Sequence, residues 1–146
     1  LGSKFFLERK FKTWITPHSK EFLRLFPHIQ CATNIGLALQ AAKEFNISVL
    51  LKGANSIVAD NKNAWQLFGT DSQTARAGLG DLLSGFVAGS AAIDLTFCRN
   101  ITTDLFAKYV LLHSFAASKS KIGSNASAIG DELSKLMRNR KMRQIS

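Results

Sequence analysis

The run Ile47-Ser48-Val49-Leu50-Leu51 constrains this chain more than any other segment. It is short and mostly β-branched or apolar, which suits a strand buried on both faces. Helical periodicity flanks it. Ile35, Ala38, Leu39 and Ala42 fall at i, i+3, i+4 and i+7, with Asn34 placed to cap. Leu79, Leu82, Leu83 and Phe86 repeat that spacing further along.

The remaining signals complete the order of elements. Trp14-Ile15-Thr16 reads as the end of a strand stopped by Pro17, and Ser19 to Phe26 as a short helix broken by Pro27. Ser56 to Ala59 and Ala64 to Phe68 read as paired strands around the turn cluster Asp60-Asn61-Lys62-Asn63. A polar, glycine-containing loop runs from Gly69 to Gly80, and Gly85 and Gly89 give the next helix a small face suited to close packing. Thr103 to Ala117 is expected to be helical, as is Ala128 to Met137. The order is strand, helix, helix, strand, hairpin and three helices, an α/β domain. At 146 residues and 46% hydrophobic, the chain is expected to form a single domain over 1–146 that buries a core without disulfides.

The net charge of +9 points first to nucleic acid, but its distribution does not. The excess sits in residues 1–24 and 135–146, while residues 25–134 are neutral. Residues 138–146 are therefore expected to be a solvated basic tail, and nucleic acid is not the expected partner. No apolar run reaches the roughly 20 residues of a membrane span, and no secretory signal is visible, so no membrane role is expected. Cys31 and Cys98 form no CxxC pair, which suits a reduced, cytoplasmic chain. His28 and His113 share no metal-ligand spacing with each other or with the cysteines, and no protein-held metal is expected.

Three stretches carry chemistry. Ala77-Gly78-Leu79-Gly80-Asp81-Leu82-Leu83-Ser84-Gly85 places two glycines at the mouth of an apolar helix and an aspartate in its first turn. The first amides of a helix have no internal partner and carry partial positive charge, so they can hold a phosphate. Asp81 beside them could take a proton from an attacking hydroxyl; it could equally be a favourable helix-end carboxylate. Lys52-Gly53-Ala54-Asn55-Ser56 follows the buried strand directly, where parallel sheets collect ligands, though an ordinary turn would read the same way. Thr16-Pro17-His18-Ser19-Lys20-Glu21-Phe22 also follows a strand and opens a helix; alone, His18 suits a cap as well as a ligand contact.

Together these three stretches resemble the carboxyl half of the bacterial NAD(P)H-hydrate dehydratases, the YjeF carboxy-terminal domain of the ribokinase-like superfamily. The family pattern Thr-Pro-His-x-x-Glu-Phe is matched by Thr16 to Phe22, Lys-Gly-Ala-x-Thr by Lys52 to Ser56, and Gly-x-Gly-Asp-x-Leu-x-Gly by Gly78 to Gly85. The resemblance runs from about Thr13 to Leu136. It implies a ribokinase-like three-layer α/β sandwich, of which this chain is the carboxyl-terminal half. It also implies metabolite repair: ADP or ATP, with Mg2+, phosphorylates the hydroxyl of hydrated NADH or NADPH, and loss of phosphate restores the nicotinamide. By the same resemblance Lys52, Gly53, Ala54, Asn55, Ser56, Gly78 and Gly80 hold the nucleotide. His18 and Asp81 contact the hydrated dinucleotide, and Asp81 is the catalytic base. A homo-oligomer is implied as well.

The departures are local. Ser19-Lys20 stands where the family usually has Pro-Gly, and Ala77 and Leu79 replace a Gly and a Thr of Gly-Gly-Thr-Gly-Asp. The family's complete domain is also much longer than this chain, which begins without Met, so a fragment, one piece of a split protein or a degenerate relative is expected. A small-molecule kinase of the same superfamily, or a catalytically degenerate binding domain, is the alternative reading.

Overall fold

The computed structural model describes residues 4–68, 78–97, 99–120 and 125–142, with Lys4 and the last four of these without their side chains. The described chain divides into two compact units, one holding residues up to 70 together with 101–107, the other holding 71–100 and everything after 107.

The first unit is built on a four-stranded sheet. After a short helix α1 (Lys4–Leu7) come β1 (Trp14–Ile15), α2 (Ser19–Leu25), α3 (Asn34–Phe45), β2 (Ser48–Leu51), β3 (Ser56–Ala59) and β4 (Ala64–Leu67). The order across the sheet is β1-β2-β3-β4. β1 and β2 are parallel, with Trp14 opposite Ser48, while β2-β3-β4 form an antiparallel meander. The sheet is therefore mixed, and the parallel-sheet rule for ligand placement applies to β1 and β2 only. Every residue of β2 is buried, as its apolar run predicts, and so is every residue of β3.

Alternation along the strands sorts the core into two faces. Val49, Leu51, Ile57 and Ala59 join Phe22, Phe26, Ile29 and the α3 residues Ala38, Ala41, Ala42 and Phe45 in one cluster. Phe26 and Phe45 meet with ring centroids 5.0 Å apart. On the other face, the Ser48 hydroxyl meets that of Thr103 at 2.8 Å. Trp14 stacks on Phe106, centroids 4.7 Å apart and planes within 5°. The first turns of α5 (Thr103–Lys119) thus complete this unit.

Two sequence expectations for α3 shift by a residue or more. The cap is Thr33 rather than Asn34: its Oγ1 accepts from the Gly36 amide at 3.1 Å. The buried face runs through Ala38, Ala41, Ala42 and Phe45, leaving Ile35 exposed. Phe45 adds far more apolar area than Ile35 could, and it turns the helix toward the phenylalanine cluster. The hairpin is as expected. Asp60 Oδ1 accepts from the amides of Lys62 and Asn63 at 2.8 and 2.7 Å, an Asx turn that fixes the register of Val58 against Trp65.

The second unit is helical: α4 (Leu79–Thr96), the remainder of α5, and α6 (Ala126–Met142). The last helix starts earlier and runs further than Ala128 to Met137, with the Asn125 side chain accepting from the Ala128 amide at 3.0 Å. Ala116, Ala117, Ile129 and Leu133 form the buried cluster, and Leu79, Leu82 and Phe86 pack on it. Gly85 and Gly89 do not serve close packing: a Cβ at either would meet nothing within 4 Å among the described residues. They open instead on a groove of about 870 Å³ between α4 and α6.

By length and composition alone α4 could cross a bilayer, with 18 residues at a hydropathy of 1.2, which the search for a continuous apolar run missed. Its buried positions are amphiphilic rather than lipid-like. Asp94 is 4% exposed; it accepts from the Tyr109 hydroxyl and from Arg99 Nη1 at 2.8 Å.

Candidate functional site

β1 and β2 end side by side, and the residues just past them are His18 and Lys52. These two form a parallel bridge that extends the β1–β2 ladder beyond the strands, closed by the Lys52 amide donating to Pro17 O at 2.9 Å. Pro17 cannot donate to a ladder, but its carbonyl still accepts, so the chain can turn into α2 here without losing this contact.

His18 is the N-cap of α2. Its Nδ1 accepts from the amides of Lys20 and Glu21 at 3.1 and 3.2 Å. Glu21 returns the bond, its Oε2 accepting from the His18 amide at 2.7 Å. This is a capping box with histidine in the usual Ser/Thr place. Because Nδ1 accepts twice, the ring proton of neutral His18 belongs on Nε2, which lies 3.4 Å from Glu21 Oε1. The ring is half exposed, so Nε2 remains presentable to a ligand while Nδ1 is committed to the cap.

Glu21 ties the two motifs together. Its carboxylate lies 3.9 Å from Lys52 Nζ. The His18 amide is the main cause holding its pKa below the ordinary carboxylate value; Lys52, His18 and Arg24 act in the same direction. Glu21 is thus kept anionic and faces the lysine. The sequence motif contains Glu21, but its contact with Lys52 is visible only once β1 and β2 pair.

The turn after Lys52 is closed by Ser56, whose hydroxyl donates to Gly53 O at 3.2 Å and accepts from the Gly53 amide at 3.5 Å. Ser56 itself is buried, while Gly53, Ala54 and Asn55 are exposed. The turn therefore presents backbone and the Asn55 amide to solvent, with the Ser56 hydroxyl used inside it.

The third motif belongs to the helical unit. Gly78 is the N-cap of α4 with φ +81°, a conformation that costs any residue with a Cβ. As a glycine, this N-cap residue has no side chain with which to cap the helix. Its first internal bond runs from the Leu82 amide to Gly78 O at 2.9 Å, so the amides of Leu79, Gly80 and Asp81 lie ahead of the ladder. Asp81 is exposed in that first turn and lines the α4–α6 groove. Ala77 and the loop Thr70 to Arg76, where the sequence departs from the family pattern, lie outside the described residues, as does Cys98. Cys31 is a free, exposed thiol. His28 is engaged by Glu44, Nε2 to Oε1 at 2.7 Å.

The family model described as NAD(P)H-hydrate dehydratase matches residues 3–136, nearly the whole chain. The chain belongs to that family. Among curated relatives, the ADP-dependent (S)-NAD(P)H-hydrate dehydratase of Nitrosopumilus maritimus is 38% identical over 78 residues, covering 51% of this chain and 27% of that protein. The bifunctional NAD(P)H-hydrate repair enzyme Nnr of Gloeobacter violaceus is 38% identical over 86 residues, covering 58% of this chain and 17% of its own. Among solved structures, a ribokinase-like superfamily protein of Enterococcus faecalis superposes with a TM-score of 0.75 at 22% identity, over 94% of this chain and 48% of that one. The ADP/ATP-dependent NAD(P)H-hydrate dehydratase of Bacillus subtilis, co-crystallised with ATP and Mg2+, gives 0.67 at 20% identity, over 90% and 50%. The fold is thus ribokinase-like, and the chain spans about half the length of these solved relatives. It spans a smaller share of the two curated ones.

Proposed function

We infer that this chain carries part of a nucleotide-dependent NAD(P)H-hydrate dehydratase, the carboxyl portion of one ribokinase-like domain. The observation that carries the reading is the His18–Lys52 bridge. It places two of the family's motifs at the carboxyl ends of the parallel strands, where α/β sheets bind ligands. In this reading Lys52 and the turn Gly53-Ala54-Asn55-Ser56 hold ADP or ATP, and Lys52 offers its cation to the phosphates while Glu21 orients it. Gly78 and Gly80 let the leading amides of α4 approach a phosphate, which needs backbone rather than any particular side chain. Lys52, half-buried at the strand end, and the amides ahead of the α4 ladder each suit a phosphate oxygen; Mg2+ would accompany the nucleotide and supply positive charge to its phosphates.

His18 then presents Nε2–H to an acceptor on the hydrated dinucleotide. Asp81 receives the proton of the substrate hydroxyl as its oxygen attacks the terminal phosphorus, and the P–O bond to the nucleotide breaks, releasing AMP from ADP or ADP from ATP. Breakage of the C–O bond releases phosphate, and loss of a proton from the adjacent ring carbon to water forms the double bond that restores the reduced nicotinamide ring. The setting is cytoplasmic, and copies of the chain associate, a reading supported by the exposed Ile93, Leu95 and Phe97 near the end of the α4 segment.

The test is direct. Hydrated NADH mixed with the chain, Mg2+ and ADP or ATP should regain the absorbance of reduced nicotinamide, and should not without nucleotide. Absence of both recovery and nucleotide binding would overturn the reading.

A further inference from the structure

The opposite end of the sheet holds a second cavity, which none of the three motifs touches. It measures about 430 Å³, within the range of small-molecule sites. It opens where β1 and β2 begin, beside the turn that ends β3. β2 alone separates it from Lys52 by roughly 13 Å of strand. Its rim carries Arg9, Lys10 and Lys12, and its lining includes Ser48, Thr103 and Asp60.

The floor has an unspent donor. Ser48 and Thr103 are each 9% exposed, and their hydroxyls share one hydrogen bond of 2.8 Å. Two hydroxyls in one such bond use one proton between them. The other O–H is left to donate, and a buried donor without an acceptor is costly unless something supplies one. The cavity is where that acceptor can sit.

The rim sets the charge. Lys12 is held in place by donating to Ile101 O at 2.7 Å, which uses one of its three protons. The Arg9 guanidinium lies 5.6 Å from the Phe5 ring centroid, which orients its planar fork without consuming its donors. Asp60 Oδ1 is already accepting from the amides of Lys62 and Asn63. Three cations against one carboxylate leave a local excess of two positive charges, the match for a dianion. Phosphate and sulfate are both tetrahedral oxyanions suited to a buried hydroxyl and to cations of both shapes, but of their monoesters only the phosphate carries close to two negative charges at neutral pH. The cavity is larger than an inorganic ion needs, so the organic part of an ester is accommodated with it.

We propose that the Arg9, Lys10, Lys12, Ser48 and Thr103 cavity is a binding site for a small phosphate monoester, separate from the proposed nucleotide site. Such a site at the far end of β2 would let a phosphorylated metabolite be sensed by the same strand that leads into Lys52.

Ribose 5-phosphate, titrated calorimetrically into the full chain at low ionic strength, probes it. One saturable site is expected. Arg9→Gln/Lys10→Gln, both exposed positions, should weaken it about tenfold or more, as loss of charge-assisted contacts does. Ser48→Ala should weaken it severalfold, and Lys52→Ala should leave it unchanged, with thermal melts confirming that each variant is folded. Wild-type affinity in the double variant overturns the proposal. So does a loss confined to Lys52→Ala, which would seat the phosphate at the other end of the sheet. Tighter binding of a single-stranded oligonucleotide than of ribose 5-phosphate overturns it too, because the rim would then be reading a polyanion.

Discussion

His18 and Lys52, 34 positions apart, stand opposite one another in a parallel bridge that begins where the β1–β2 ladder ends. One helical cap, one strand end and one carboxylate meet at that point. Glu21 accepts from the His18 amide at 2.7 Å and lies 3.9 Å from the Lys52 ammonium. The first motif is therefore both a structural cap and a neighbour of Lys52, and changing one role disturbs the other.

Lys52→Ala is expected to weaken ADP and ATP binding more than binding of the dinucleotide. The ammonium ends a fully buried strand, and its partner Glu21 keeps it pointed rather than free. Titrations of each ligand into wild type and variant compare the two effects. Equal losses would show that Lys52 supports the region in general.

Asp81→Asn should abolish turnover, by about 10²–10⁴-fold for a lost general base, while nucleotide affinity stays close to wild type. The isosteric amide keeps the exposed helix-start position and removes only the proton acceptor. Single-turnover assays alongside ADP titration separate the two quantities. A near-normal rate would reduce Asp81 to a helix-end carboxylate.

Leu79→Thr should pull in two directions. Leu79 packs on the Ala116, Ile129 and Leu133 cluster, so the change should cost about 1 kcal/mol or more of stability through lost burial. A hydroxyl beside the leading amides should strengthen ADP binding by roughly 0.5–1.5 kcal/mol, one ordinary hydrogen bond. Calorimetry with a thermal melt reads both, and unchanged affinity would mean that no phosphate comes near this turn.

Tyr109→Phe should lower unfolding stability by about 1–3 kcal/mol, because it takes a donor away from a buried carboxylate. Asp94 is 4% exposed and receives both the Tyr109 hydroxyl and Arg99. Urea melts of the wild type and variant give the difference. A shift within error would show that the other contacts of Asp94, Arg99 among them, suffice to hold the charge.

Acid should destabilise the chain through His113. Its Nε2 is buried with no hydrogen-bond partner among the described residues, and burial pushes its pKa down to about 4. The unfolded chain protonates this ring near the ordinary histidine value of about 6.5, the folded chain only near 4. Between those values the unfolded state binds more protons, so the contribution of His113 to stability is present above the upper value and is lost progressively as pH falls. His113→Leu should flatten that part of the profile in denaturant melts followed across the window. A variant with the same pH slope as wild type would assign the acid sensitivity to other groups.

Much of the local structure was legible because its causes are local. β2 follows from its own apolar run, and the β3–β4 hairpin from the Asp60 to Asn63 turn. The motifs were legible as spacing, and the family match bears out the family they resemble. The α3 cap and face were misplaced because Thr33 and Asn34 are near-equal caps, and the choice between Ile35 and Phe45 is made by the phenylalanines that α3 meets.

The sequence by itself determined the α/β order, the buried central strand and the positions of Lys52, His18 and Asp81 relative to their elements, since each depends on neighbours within a few residues. Only the tertiary structure decided that His18 Nδ1 is committed to a cap, that Glu21 faces Lys52, and that Ser48 meets Thr103, Asp94 meets Tyr109 and Gly85 faces open space. Those contacts join residues distant in the chain or depend on which helix lies alongside. A hydrogen bond is settled by distances of a few tenths of an ångström, which periodicity cannot encode.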